Sequence, residues 1–140
     1  MAAASHRFDV DTHGDTHVID ITKHVARCVD AGGIACGTAT AFVIGSTAGI
    51  TTTEFEPGLV NHDLKAAFEA LAPVDGDYLH EATWHDDNGH AHVRASLLGP
   101  SVTVPIVDGQ LQLGTWQQII LIDFDTRPRS RTIIVQVIGA

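Results

Sequence analysis

The segment Ile119-Ile120-Leu121-Ile122 is apolar at four successive positions. Successive side chains of a strand point to opposite faces, so a strand of this kind needs cover on both of them. A second sheet, a helix or a neighbouring subunit would supply it. The surrounding sequence supports a strand-rich fold. Residues 92–98, 102–107, 111–113, 117–124 and 132–138 all read as strands, and Asp108-Gly109 is a hairpin turn signal between two of them.

The first half is mixed. Residues 7–10 and 17–21 read as short strands joined by a turn at Gly14-Asp15. Ile21, Val25, Cys28 and Val29 then fall at i, i+4, i+7 and i+8, one face of a helix that Asp20 or Thr22 can cap and Gly32-Gly33 can end. Residues 37–44 and 49–54 read as strands, broken by Pro57-Gly58. A second helix opens at Asn61, carries Leu64, Ala67, Phe68 and Leu71 at helical spacing, and stops before Pro73. No helix is expected after Tyr78. With no repeat or linker, the expectation is one α+β domain over residues 1–140, a mainly antiparallel β-sandwich core with two short helices.

Charge narrows the function. Eight Lys+Arg against 17 Asp+Glu give a net −9, which opposes a non-specific nucleic-acid or anionic-membrane binder because both need a basic face. No apolar run approaches the ~20 residues of a membrane helix. Residues 1–11 lack the apolar stretch of a signal peptide. Cys28 and Cys36 are too few for a disulfide framework or a four-thiolate zinc site, so free thiols and a cytoplasmic location are expected.

Four constellations carry candidate chemistry. Four of the nine histidines, His80, His85, His90 and His92, lie close together. On a strand, His90 and His92 would share a face roughly 7 Å apart at ~3.3 Å per residue, and His80 could add a third nitrogen. Three protein ligands and an open water position form the catalytic zinc pattern, with Glu81, Asp86 and Asp87 as carboxylates that could orient the imidazoles. A polar histidine-rich loop is the plain alternative. Gly45-Ser46-Thr47-Ala48 could hydrogen-bond an anion through Ser46 and Thr47, and Glu54 could act as a base or ligand; a tight turn and a solvated carboxylate explain them equally. Arg127-Pro128-Arg129-Ser130-Arg131, with Arg94, suits phosphate, unless the arginines only keep an exposed hairpin soluble. Trp116 and Gln117 could offer a flat wall and an amide to a ring, although such a tryptophan is more often core or interface.

In this order, Gly45-Ser46-Thr47-Ala48-Gly49-Ile50, Glu54, Asp63, Tyr78-x-His80, Asn88-Gly89-His90-Ala91-His92, Leu98-Gly99-Pro100-Ser101 and Leu113-Gly114-Thr115-Trp116-Gln117 resemble the YjbQ-like family, also named the secondary thiamine-phosphate synthase family. The resemblance runs from about Arg7 to Gly139. It implies a compact α+β fold, a homotrimer, and weak thiamine-phosphate synthase activity, which joins a pyrimidine methyl diphosphate to a thiazole phosphate and releases pyrophosphate. By motif matching it carries over Glu54, Asp63, His80 and His92. Many relatives have His-Thr-Ser-Ala where this chain has Gly45-Ser46-Thr47-Ala48, so the first histidine is missing, and His85 or His90 would have to compensate.

The expected function is a metal-dependent enzyme acting on a phosphorylated small molecule. Glu54 and Asp63 are its catalytic candidates. His80, His90 and His92 would hold a divalent metal, zinc foremost, or magnesium with a diphosphate substrate. Ser46, Thr47, Arg94, Trp116, Gln117, Arg127 and Arg129 would contact the ligand. A metal-dependent hydrolase and a non-catalytic binding module for a metabolite or metal are the alternatives.

Overall fold

The four-residue apolar run lies in a strand whose two faces are both covered within the chain. In the computed structural model, which describes residues 1–140, it belongs to β7 (Gln118–Asp123). The other strands are β1 (Ala2–Thr12), β2 (His17–Asp20), β3 (Gly37–Val43), β4 (Ala48–Thr53), β5 (Ser101–Val107), β6 (Gln110–Leu111) and β8 (Arg129–Gly139). The helices are α1 (Thr22–Gly32), α2 (Leu64–Leu71), entered through a π-helical turn at Leu59–Asp63, α3 (His80–Trp84) and α4 (Gly89–Leu98).

Two curled antiparallel sheets result, one ordered β1-β8-β3-β5-β6 and the other β2-β7-β4. Ile119 and Leu121 of β7 face the larger sheet and join a core with Val25 and Val29 of α1, Ala41 and Val43 of β3, and Ile133, Val135 and Val137 of β8. Ile120 and Ile122 face the other way, into a smaller core with Ala91 and Ala95 of α4, Phe124, and the partly buried Leu64 and Phe68 of α2. One face of β7 therefore takes a sheet and the other takes helices. No neighbouring subunit is needed to cover it.

The α+β class and single domain hold. Helix α1 ends at Gly33 in the left-handed region (φ 63°), and the Asp20 carboxylate accepts the Thr22 amide at 3.0 Å. Asp108 and Gly109, at φ 52° and 73°, turn between β5 and β6. Both cysteines are free; Cys28 packs against the core, whereas Cys36 is exposed just before β3. No helix is long and apolar enough to cross a membrane.

Two expectations fail. First, the turn at Gly14-Asp15 does not make a hairpin: β1 pairs with β8, and β2 pairs with β7 in the other sheet. Second, helices continue after Tyr78, and the stretch expected as strand 92–98 is most of α4. Its buried residues are Gly89, His90, Ala91, Arg94 and Ala95, a helical repeat of small and polar side chains rather than large apolar ones. The helix lies across β4, where Gly49 meets Leu98, and its Ala91 and Ala95 pack with Ile120 and Ile122 of β7. Its boundaries carry ordinary punctuation, Asn88 before the first turn and Gly99-Pro100 after the last.

Candidate functional site

At one end of the two sheets, the β3–β4 turn, α3, the start of α4 and the connection from β7 to β8 enclose an open cavity of about 400 Å³. Its floor is a buried ion-pair cluster. Asp123 is fully buried at the end of β7, and Arg131, 7 % exposed, lies opposite it on β8. Arg131 Nε donates to Asp123 Oδ2 at 2.7 Å and Nη2 donates to Oδ1 at 2.9 Å, a two-pronged contact between the two sheets. Thr12 Oγ1 of β1 adds a bond to Asp123 Oδ2 at 2.6 Å. Arg131 Nη2 also donates to Thr47 Oγ1 at 2.6 Å, and that hydroxyl donates on to Asp125 Oδ2 at 2.9 Å. Arg129 pairs with Asp125 Oδ2 at 2.9 Å.

Burial by itself would raise both carboxyls. Hydrogen bonds from Arg131 and Thr12 outweigh it at Asp123, as do the Thr126 amide, Thr47 and the Arg129 charge at Asp125, and both sit below the usual carboxylate range. Two carboxylates against two guanidinium groups leave the floor charge-balanced. Within the protein, Arg131 uses only Nε and Nη2 as donors. A Cβ built at Gly45 (φ 126°) would stand 2.7 Å from Arg131 Nη1, so any side chain here, histidine included, would require that guanidinium to move. The absence of a side chain at position 45 is what gives Nη1 room at the cavity mouth.

The walls hold the histidines. His92 Nδ1 lies 3.1 Å from the Ser46 carbonyl, which can only accept. The bond therefore puts the proton on Nδ1 and leaves the lone pair on Nε2. His80 lies across from it, ring centroids 4.5 Å apart. Asn88 holds the His80 side: its amide nitrogen reaches His80 Nε2 at 3.0 Å and Asp86 Oδ1 at 2.9 Å when turned toward them. His85 and Asp87, both at φ 56°, bend the chain on either side of Asp86 and bring that carboxylate back to within 3.3 Å of His80 Nε2. Two left-handed non-glycine residues in four are local strain, the kind that collects around functional sites.

His80, His92, Ser46, Thr47 and Arg129 of the expected set line this cavity. The rest do not. His90 is on a helix rather than a strand, so two residues along it is turned away from His92; it is buried, 3 % exposed, with the Tyr78 ring 6.4 Å away. Arg94, 1 % exposed, is a structural tie that donates to the Ala72 carbonyl, Thr16 Oγ1 and Glu69. Arg127 is exposed outside the cavity, and Asp63 is exposed in the π-helical turn, bonded to His62 at 2.8 Å. Glu54, Trp116 and Gln117 line a separate shallow cleft with Thr52 and Thr53 at the far end of β4. Eight residues of mostly extended chain, roughly 26 Å at ~3.3 Å each, separate Ser46 from Glu54. One chain does not bring these two groups together.

His80 and His92 supply two imidazoles, and no set of three or more His, Cys, Asp or Glu side chains is arranged to hold a metal ion. The residues of one chain do not complete the three-ligand zinc pattern.

Sequence reading missed Trp84, Asn88, Asp123, Asp125 and the structural role of Arg131. A signal existed for the charges. Asp123-x-Asp125 closes an apolar strand and Arg129-x-Arg131 opens the next, so a short connection keeps two acids and two arginines close together, although β7 and β8 belong to different sheets and do not form the expected hairpin.

The site and fold define a two-sheet α+β protein with a polar, histidine- and arginine-lined cavity at one end. Residues 6–140 match the family described as UPF0047 protein YjbQ-like, and the chain belongs to that family. It is 37% identical over 139 residues to a UPF0047 protein of Methanothermobacter thermautotrophicus, covering 99% of this chain and 94% of the relative. UPF0047 protein YugU of Bacillus subtilis is 36% identical over 123 residues, covering 87% and 89%. Among solved structures, a YbjQ-like protein of unknown function from Sulfolobus solfataricus P2 superposes with a TM-score of 0.88 at 31% identity, covering 99% of this chain and 100% of that one. A YjbQ/UPF0047 family protein from Clostridium acetobutylicum gives 0.85 at 38% identity, covering 94% and 98%.

The buried groups predict an acid response in two stages. Burial, then the Arg94 charge, lowers His90; burial and His13 lower His17 against the pull of Asp123. Each binds a proton more readily in the unfolded chain. Their share of stability is complete above about pH 6.5 and is lost as pH falls toward the depressed folded value. Asp123 and Asp125, also depressed, keep their share until pH drops below about 4. The melting temperature should fall first below about pH 6.5 and again below about pH 4, and His90→Gln should shrink the first fall. A melting temperature constant from pH 7.5 to 5 in the wild type would contradict this.

Proposed function

We propose that the protein is a cytoplasmic enzyme that binds a phosphorylated small molecule in the cavity between the β3–β4 turn, α3, α4 and β8. The observation that carries this reading is the convergence of Arg129, the Arg131 guanidinium, His80 and His92 on one open cavity in a chain of net charge −9. Charge-assisted donors of this kind suit phosphate oxygens. With its lone pair on Nε2, His92 can take a proton from a substrate hydroxyl or amine, or return one to a leaving group. The weak thiamine-phosphate synthase reaction fits this reading. Its departing pyrophosphate needs hydrogen-bond donors at the developing charge, and Arg129 and the Nη1 of Arg131 would supply them, although each guanidinium is also paired with a buried aspartate.

A second reading gives the cavity a divalent ion, and the two imidazoles 4.5 Å apart favour it. It requires a ligand from outside the chain. A homotrimer is the assembly proposed for both readings, because a neighbouring copy could bring the Glu54–Trp116 cleft to the cavity that one chain leaves without it. Light scattering should then give a mass near three times 14.9 kDa; a monomer at micromolar concentration would contradict the trimer.

Calorimetric titration of tag-free protein with inorganic phosphate and pyrophosphate at pH 7.5 tests the main reading. His92→Ala and Arg129→Ala should each weaken pyrophosphate binding by roughly one to two decades, the loss of a hydrogen bond to a charged group. Wild-type affinity in both variants would sink it. Stoichiometric zinc binding, weakened in His80→Ala and at pH 5.5, would favour the second reading instead.

A further inference from the structure

We infer that Trp84 is the specificity-determining wall of the cavity, stacking on a planar aromatic or heteroaromatic ring attached to the phosphate. The inference rests on the phosphate reading above. Trp84 is the only hydrophobic residue among the eleven that line the cavity. It is 69% exposed and belongs to neither hydrophobic core. An indole left this open is a large apolar surface without a partner in the chain, at the one place where charged donors converge.

Its position is fixed. Trp84 is four residues after His80 on α3, so the two side chains share a helix face, about 6 Å apart along the axis at ~1.5 Å per residue. That is room for a ring joined to its phosphate through a short linker. The chain leaves the helix at His85 in the left-handed region (φ 56°) and returns through Asp86 and Asn88 to His80. Glu81 Oε1 accepts the Gly89 amide at 2.6 Å and ties α3 to α4. A tryptophan with only two side-chain torsions, on a backbone held at both ends, loses little entropy when a ring stacks on it. Trp116, the other tryptophan, lies in the separate cleft at the far end of β4. Within one chain the ring-stacking role therefore moves from Trp116 to Trp84.

The test compares inorganic phosphate, glycerol phosphate and benzyl phosphate by calorimetric titration of the full chain, in the wild type, Trp84→Ala and Trp84→Phe. The wild type should bind benzyl phosphate about tenfold more tightly than either ringless ligand, the order expected from aromatic pairing and burial. That ratio should fall to near one in Trp84→Ala and be mostly retained in Trp84→Phe. A wild type with no preference for the ring, or a Trp84→Ala variant that keeps it, overturns the inference and leaves the phosphate reading standing. Failure of all three ligands to bind the wild type overturns both.

Discussion

The structure depends on one ion pair buried between its two sheets. Asp123 on β7 and Arg131 on β8 meet through two hydrogen bonds of 2.7 and 2.9 Å with almost no exposure to water. Desolvating two charges costs several kcal/mol each, and the pair survives burial only because its remaining groups are also satisfied. Thr12 from β1 and the Asp125 amide bond to Asp123, and Thr47 receives Arg131. These partners come from four separate stretches of chain. The cluster therefore fixes how the β3–β4 turn, the β7–β8 connection and the end of β1 meet. Those segments form the cavity floor, and the Ser46 carbonyl beside Thr47 then orients His92. Stability and the candidate site share the same few residues.

The same cluster constrains what can stand at position 45. With Gly45 at the turn, Arg131 Nη1 occupies ground that a histidine side chain would contest. The cavity gains access to a guanidinium and forgoes an imidazole. His80 and His92 have no third His, Cys, Asp or Glu side chain arranged with them to hold a metal ion in the same chain.

Much of the fold was legible because burial imposes periodicity. The apolar run of β7 announced cover on both faces, and α1 carried both its stripe and its glycine stop. The pattern misled at α4, where the buried face consists of Ala91, Ala95, His90 and Arg94. Small and polar residues give no apolar stripe, and the alternating His90-Ala91-His92 then imitates a strand. The expected pairing of His90 with His92 followed from that error of period, since these two histidines diverge on a helix. The site's arginines form a run in the sequence, but their division of labour depends on contacts made between the two sheets. Arg131 is buried against Asp123, Arg129 is half-exposed on Asp125, and Arg127 is free of the cavity. Trp84 carried no sequence signal, because an exposed tryptophan in a short helix acquires meaning only from the cavity it borders.

The coupling energy between Asp123 and Arg131 tests this account most directly. It is measured by denaturant unfolding of Asp123→Asn, Arg131→Met and the double variant beside the wild type. Either single change leaves a buried polar group or charge without its partner, and each should cost about 3–5 kcal/mol. The double variant should cost far less than the sum of the two, giving a coupling of at least about 2 kcal/mol. Additive effects, or single variants within about 0.5 kcal/mol of the wild type, would contradict the claim that this pair holds the sheets and the cavity floor together.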